Sequence, residues 1–304
     1  MTTQVAPEVV GSKVVEWYSC IVARDTEQAV RLKEETNRLV QFMDADDKVL
    51  AFYSLVEFRH DLFMEIVKKE QTEDLFQELS EGSMDHTLRF LYYLMSGRNE
   101  FFHERYRAAI KSYRKAERLL EHIDDEAEEA EFYFLAGSAY YRLNQYPLAA
   151  SYMEQALILF RRLGYLEKVL NCKIILSSID TELLRFDAAE TTLQELIIQS
   201  EPYPQTRAMV FRIVGLNRLK QGDFQEAERF FRQALQDQEM HANLPVGMKT
   251  KFNLANVLFR QGQTEEANAL FKGAEAGAAT TRILNTKLVV WQRKVYTLVR
   301  IFET

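Results

Sequence analysis

The sequence predicts an all-α protein, a bundle of three helices followed by a stack of antiparallel helix pairs. Three observations predict it. Only 11 Gly and 5 Pro occur among 304 residues, about 5% where an average protein has roughly 12%, so chain breakers are scarce. Apolar residues recur at steps of three and four, the helical period. From residue 86 onward a pattern of small residues returns at intervals of 38 to 40. A chain of this length reaches the limit of one hydrophobic core, and a stack avoids that limit by growing its core in one direction. With 47% apolar and 27% charged residues, disorder of the whole chain is excluded.

The first helix is carried by Val10, Val14, Trp17 and Ile21, and the second by Leu32, Thr36, Leu39 and Met43, with one polar interruption. Asp25 and Thr26 are placed to cap the second, and Glu27 suits the positive end of its dipole. A third helix is expected from near Asp46 to about Lys69. Its apolar residues, from Val49 to Val67, cover far more than one stripe. A helix apolar nearly all round is buried on two sides, so this one packs on its two predecessors and on something downstream. The bundle is therefore assigned to residues 1–70 and a polar linker to 71–85, with a short helix at Glu73 to Leu79. Residues 86–304 form the stack.

In the stack, alanines at 109, 149, 189, 227 and 267 are each preceded by twelve positions by Gly97, Gly137, Ser177, Gly215 and Ala255. Each alanine is followed four positions later by Tyr113, Met153, Leu193, Phe231 or Phe271. Small residues at two fixed places let paired helices approach closely, and the large residue fills the remaining gap. This is the tetratricopeptide pattern, about five repeats of it, although its usual period is about 34 residues. Longer helices, or longer turns such as 201–204 and 241–247, absorb the difference. Gly222 and Gly262 are placed to end inner helices. Helix Ile283 to Phe302 is expected to cap the stack.

The net charge is −7, yet residues 1–85 alone hold 9 Lys+Arg against 18 Asp+Glu. This balance argues against a nucleic-acid or anionic-membrane surface and permits an acidic face that meets a basic protein, the alternative being an ordinary solvated surface. Cys20 and Cys172 are isolated and read as small buried hydrophobes of a reduced chain. The five histidines make no metal-binding pair, and Asp44, Asp46 and Asp47 lack the loop glycine and closing glutamate of a calcium hand. No glycine-rich phosphate loop or nucleophile elbow occurs, so neither metal nor cofactor is expected. The absence of an apolar leader or of an 18-residue apolar window places the protein in the cytoplasm.

A stack of helix pairs lines a groove with its inner helices, and such grooves bind extended peptides. Period arithmetic sets Glu131, Ser138 and Arg142 on the groove face, then Asn171 and Glu182, then Met209, Arg212 and Lys220, then Lys249, Asn256 and Arg260. Arginine forks and asparagine amides suit peptide carboxylates and backbone. The alternative is an ordinary solvated face.

VGSKVVEWYSCI at 10–21, LKEE at 32–35 and MDADDKVLAFYSLVEFRH at 43–60, followed by forty-residue repeats, resemble the Rap proteins of bacilli. The resemblance implies a cytoplasmic regulator that binds a response regulator through its bundle, with Asp46, Leu50 and Phe58 at matching contact positions. It also implies control by a secreted pentapeptide in the repeat groove. Phosphatase members carry a glutamine that orients the attacking water, and Asp47 stands at that position, with Ala45 at a preceding glutamate. An ionised carboxylate donates no hydrogen bond and adds charge to an acidic pocket. The resemblance therefore predicts docking at Asp46, Asp47, Leu50 and Phe58 without hydrolysis. An active aspartyl-phosphate phosphatase and a scaffold for another protein are the alternatives. Ile213 and Leu216 replace asparagines that hold peptide backbone in many members.

Overall fold

The computed structural model describes residues 4–23, 25–64, 85–237 and 245–281. The linker, its short helix at 73–79, the extension of the third helix towards Lys69 and the capping helix at 283–302 lie outside them, apart from Asp85. Thirteen α-helices occur among the described residues, and they group into two compact units that divide between Tyr165 and Leu166.

In the first unit, α1 (Pro7–Ala23), α2 (Thr26–Val40) and α3 (Asp47–Phe63) make the bundle. Val10, Val14, Trp17, Ile21, Ala29 and Leu32 form its core. The Asp25 carboxylate accepts from Gln28 N, as a cap should, and the Asp46 carboxylate accepts from the backbone of Lys48 and Val49 at 2.9 Å each. Buried Thr36 is accommodated on the apolar stripe because its hydroxyl donates to Leu32 O at 2.7 Å. Trp17 Nε1 donates to His60 Nδ1 at 3.0 Å. Burial, aided by Lys33, lowers the His60 pKa to about 4, so the ring is neutral and free to accept. Cys172 is buried as expected, but Cys20 is only half-buried.

The helix pairs follow: α4 (His86–Phe102) with α5 (Tyr106–Glu117) and α6 (Glu126–Arg142) with α7 (Tyr146–Arg162) in the first unit. The second unit pairs α8 (Leu166–Glu182) with α9 (Phe186–Gln199), α10 (Pro204–Gln221) with α11 (Phe224–Asp237), and α12 (Pro245–Arg260) with α13 (Thr264–Thr281). Inner helices of 16 to 18 residues account for much of the long period.

The small residues do what their spacing predicts. A Cβ on Gly97 would lie 2.4 Å from the Tyr113 ring, one on Gly137 2.8 Å from Met153 Cε, and one on Gly215 2.7 Å from the Phe231 ring. Each large outer-helix residue thus rests on the bare backbone of its partner helix. Gly215→Ala is expected to cost about 1–3 kcal/mol through overpacking, measured by urea unfolding. Adding Phe231→Leu should recover part of the loss, because the clash is shared by that pair.

A second period appears in the turns. Glu104, Asn144 and Leu184 have φ near +60°, and Gly222 and Gly262 have φ of +82°. Each closes an inner helix in left-handed backbone. Three of the five are not glycine, so the sequence signal was visible only in the last two. Leu184 is 64% exposed, so little of its side chain is buried. Leu184→Gly should raise stability by about 0.5–1 kcal/mol, the relief of a left-handed Cβ less the added freedom of the unfolded chain. A lower thermal midpoint would contradict that account.

Candidate functional site

The acidic loop between α2 and α3 is held by backbone. Val5 N donates to Phe42 O at 2.9 Å and Asp44 N to Val5 O at 3.2 Å, a parallel bridge between Val5 and Met43. The loop presents Phe42 (46% exposed), Leu50 (39% exposed) and an exposed Asp47 at the first residue of α3. Asp46 sits among them with its carboxylate committed to capping. Phe58 corrects the sequence expectation. It is 6% exposed and belongs to the core, since α3 turns that face inward, so this arrangement does not present it to a partner.

Where the bundle meets the repeats, a buried polar cluster joins four helices. Arg59 of α3 and Glu131 of α6, each 1% exposed, pair at 3.1 Å, and Arg98 of α4 reaches the same Glu131 oxygen at 3.1 Å. Arg59 donates to the Tyr18 hydroxyl and lies over that ring at 4.4 Å, while Tyr18 donates to Glu128. Burial raises the Glu128 pKa to about 8 against the pull of Arg59, so a proton stays on it at neutral pH. Glu131 is therefore not a groove residue. Its carboxylate is taken up inside the first unit by Arg59 of α3 and Arg98 of α4. The sequence signal was Arg59, a charged residue within the largely apolar run of α3.

In the second unit the expected groove residues lie on three successive inner helices. Two pairs come together. Glu182 and Lys220 form an ion pair at 2.8 Å, so each satisfies the other, and Arg260 Nε donates to Asn256 Oδ1 at 3.1 Å. The Arg260 guanidinium also stands 5.7 Å from the Phe224 ring centroid. It lines an open cavity of about 660 Å³ with Asp223, Phe224, Gln225, Glu228 and Gln263. Asn171, Arg212 and Lys249 are half-buried on α8, α10 and α12. Periodicity did not single out Asn217, which is fully buried, accepts from Thr181 Oγ1 at 3.3 Å and donates to Glu190 at 3.4 Å. An amide inside an apolar inner helix was its only mark. Among the described residues, no cluster of three or more His, Cys, Asp or Glu could hold a metal, and no helix is long and apolar enough to cross a membrane.

The family model for response regulator aspartate phosphatase H, N terminal, matches residues 4–65, and a tetratricopeptide model matches 94–162 and 215–280. The regulatory protein RapG of Bacillus subtilis is 30% identical over 293 residues, covering 94% of this chain and 79% of its own. The chain belongs to the Rap family. RapD of the same organism is also 30% identical, over 86% of this chain and 75% of its own. A solved Rap protein complexed with Competence and Sporulation Factor superposes with a TM-score of 0.83 at 27% identity, over 91% of this chain and 78% of that one. The type II methyltransferase M.CeqI of Rhodococcus hoagii is 42% identical over 93% of this chain, which spans 56% of that relative's length. What the two share is thus the Rap bundle and repeats, and methyl transfer is named for that longer protein.

Proposed function

We propose that this Rap-family regulator works in the cytoplasm, holds a response regulator on its bundle, answers to a short peptide in its repeats, and does not hydrolyse the aspartyl phosphate. The observation that carries the reading is the surface at the start of α3. Asp47 and Leu50 are exposed in the first turn of α3, beside a loop held by the Val5 bridge, which supports a docking face there with a carboxylate where phosphatase members have an amide. A carboxylate supplies acceptors alone, whereas positioning a water for attack on a phosphoryl group calls for a donor as well. The name of the matching family model, a response regulator aspartate phosphatase, supports the class of partner. The solved Rap protein with a signalling factor bound supports the peptide.

Within the second unit, Arg260, Asn256, Arg212, Asn171 and Lys249 are the side chains offered to a peptide. Glu182 holds Lys220, so that pair sets the local charge and contributes no spare cation. Asp47→Gln tests the chemistry. Wild type should bind a phosphorylated response regulator without accelerating loss of its label, and the variant should gain turnover. Rapid turnover by wild type would instead favour an active phosphatase. Titrating candidate peptides into wild type and into an Arg212→Ala, Arg260→Ala variant tests the groove, and equal affinities would remove these two residues from it.

A further inference from the structure

The outer helix of the first repeat carries a charge pattern opposite to that of the chain. Arg107, Lys111, Arg114 and Arg118 follow at steps of four, three and four, with Lys115 beside them, and all five are exposed. Steps of this kind put them on one face. The opposite face, with Ala109, Ile110, Tyr113 and Ala116, is buried against the inner helices. From Arg107 to Arg118 the row runs about 16 Å at 1.5 Å per residue. Glu117 is the one acid in the helix, and the Tyr152 hydroxyl donates to it. Arg114 is tied to Tyr140 and Lys115 stands 4.7 Å from the Tyr93 ring centroid. The side chains of Arg107, Lys111 and Arg118 have no ion pair or hydrogen bond among the described residues.

Like charges at i and i+4 repel and destabilise a helix slightly, so this row is a local cost that an anionic partner would relieve. No exposed aromatic residue lies between the cations to stack a base, which disfavours single-stranded nucleic acid. The complement is on the same molecule. Residues 1–85 carry 18 Asp+Glu against 9 Lys+Arg. At one end of the bundle, Glu8, Asp44 and Asp47 are exposed together with Val9, Phe42 and Leu50, and the Val5 bridge brings the start of α1 to the acidic loop.

We propose that the α5 cation row docks the acidic end of the bundle in a second copy of this chain. Since every copy carries both surfaces, a two-fold pair makes both contacts at once and closes on itself. Attraction between opposite exposed charges speeds encounter and is screened within about 10 Å at 0.1 M salt, so the pair forms at low ionic strength and dissociates as salt is added. The contact covers the loop that the functional reading gives to a response regulator, so self-association and regulator binding compete. The test contains no response regulator, and its result is independent of that reading.

Sedimentation of the full chain at 25 mM and 500 mM salt reads the mass. Wild type should approach the dimer mass at low salt and the monomer mass at high salt. Two variants separate the halves of the contact, Arg107→Glu, Lys111→Glu, Arg118→Glu on the row and Asp44→Lys, Asp47→Lys on the loop. Asp46 is left intact because it caps α3. Each variant alone should self-associate at least tenfold more weakly, and an equimolar mixture of the two should regain association through the swapped charges. Unchanged circular dichroism keeps misfolding apart from loss of contact. A wild type that stays monomeric at low salt, or a row variant that associates as wild type does, overturns the proposal. So does a monomeric wild type that binds duplex DNA through the row, which would give the surface to a nucleic acid instead.

Discussion

An Arg59→Met variant is expected to lose about 3–5 kcal/mol of stability, the cost of breaking a buried ion pair by removing one partner. Arg59 is 1% exposed and serves three groups at once, the Glu131 carboxylate, the Tyr18 hydroxyl and the Tyr18 ring. Without it Glu131, equally buried, is left with Arg98 at 3.1 Å. Urea unfolding followed by Trp17 emission, in a Trp291→Phe background, reports the loss where it occurs. A change below about 1 kcal/mol would mean that the cluster is hydrated and not a buried lock. The double variant Arg59→Met, Glu131→Met should be less destabilised than the sum of the two singles, because no charge is then left alone. A loss equal to that sum would show the two residues acting independently.

How much of this was legible in advance follows from what a one-dimensional period can encode. The spacing of Gly97, Gly137 and Gly215 from Tyr113, Met153 and Phe231 is local. It involves residues 16 apart within one helix pair, so the sequence revealed which small backbone meets which large side chain. The same holds for Asp25 as the α2 cap and for the glycines at 222 and 262. Register groups residues onto one face of each inner helix, but does not say what covers that face. Glu131 and Phe58 were both misjudged. Glu131 meets residues of helices far back in the chain, and an α3 apolar on most sides signals that it is buried without saying which of its faces, Phe58 included, is turned inward. Tyr18 and Glu128 are 110 positions apart, and no periodicity reports a contact of that range. Glu182 and Lys220 were both placed on the groove, but that they neutralise each other depends on the offset between neighbouring repeats. Leu184 in left-handed backbone was invisible because the turn tolerates a residue that its glycine counterparts would not predict.

Glu128 turns the same cluster into a dependence on pH. Its pKa is about 8 in the folded protein and 4.5 ordinarily, because burial disfavours the charged carboxylate more than Arg59 favours it. The folded state therefore holds a proton that the unfolded chain releases. Stability from this group is fully present below pH 4.5 and declines as pH rises, until it is lost above about 8. His60 acts in the opposite direction at lower pH. Its ring is held neutral down to about pH 4 in the fold, against about 6.5 when unfolded, so its contribution rises between those values and is constant above them. The window from pH 6.5 to 8 thus isolates Glu128, and there stability should fall by about 1.4 kcal/mol per pH unit at most, one proton's worth. Glu128→Gln keeps an oxygen to accept from Tyr18 and cannot ionise. Its stability should be flat across that window, and at pH 8 it should exceed wild type by a few kcal/mol at most. Unfolding free energies at half-unit steps of pH for the two proteins decide it. Parallel curves would show that Glu128 is ionised throughout and that Arg59 compensates its charge fully, leaving the cluster a pair of ion pairs and not a protonated carboxyl beside one.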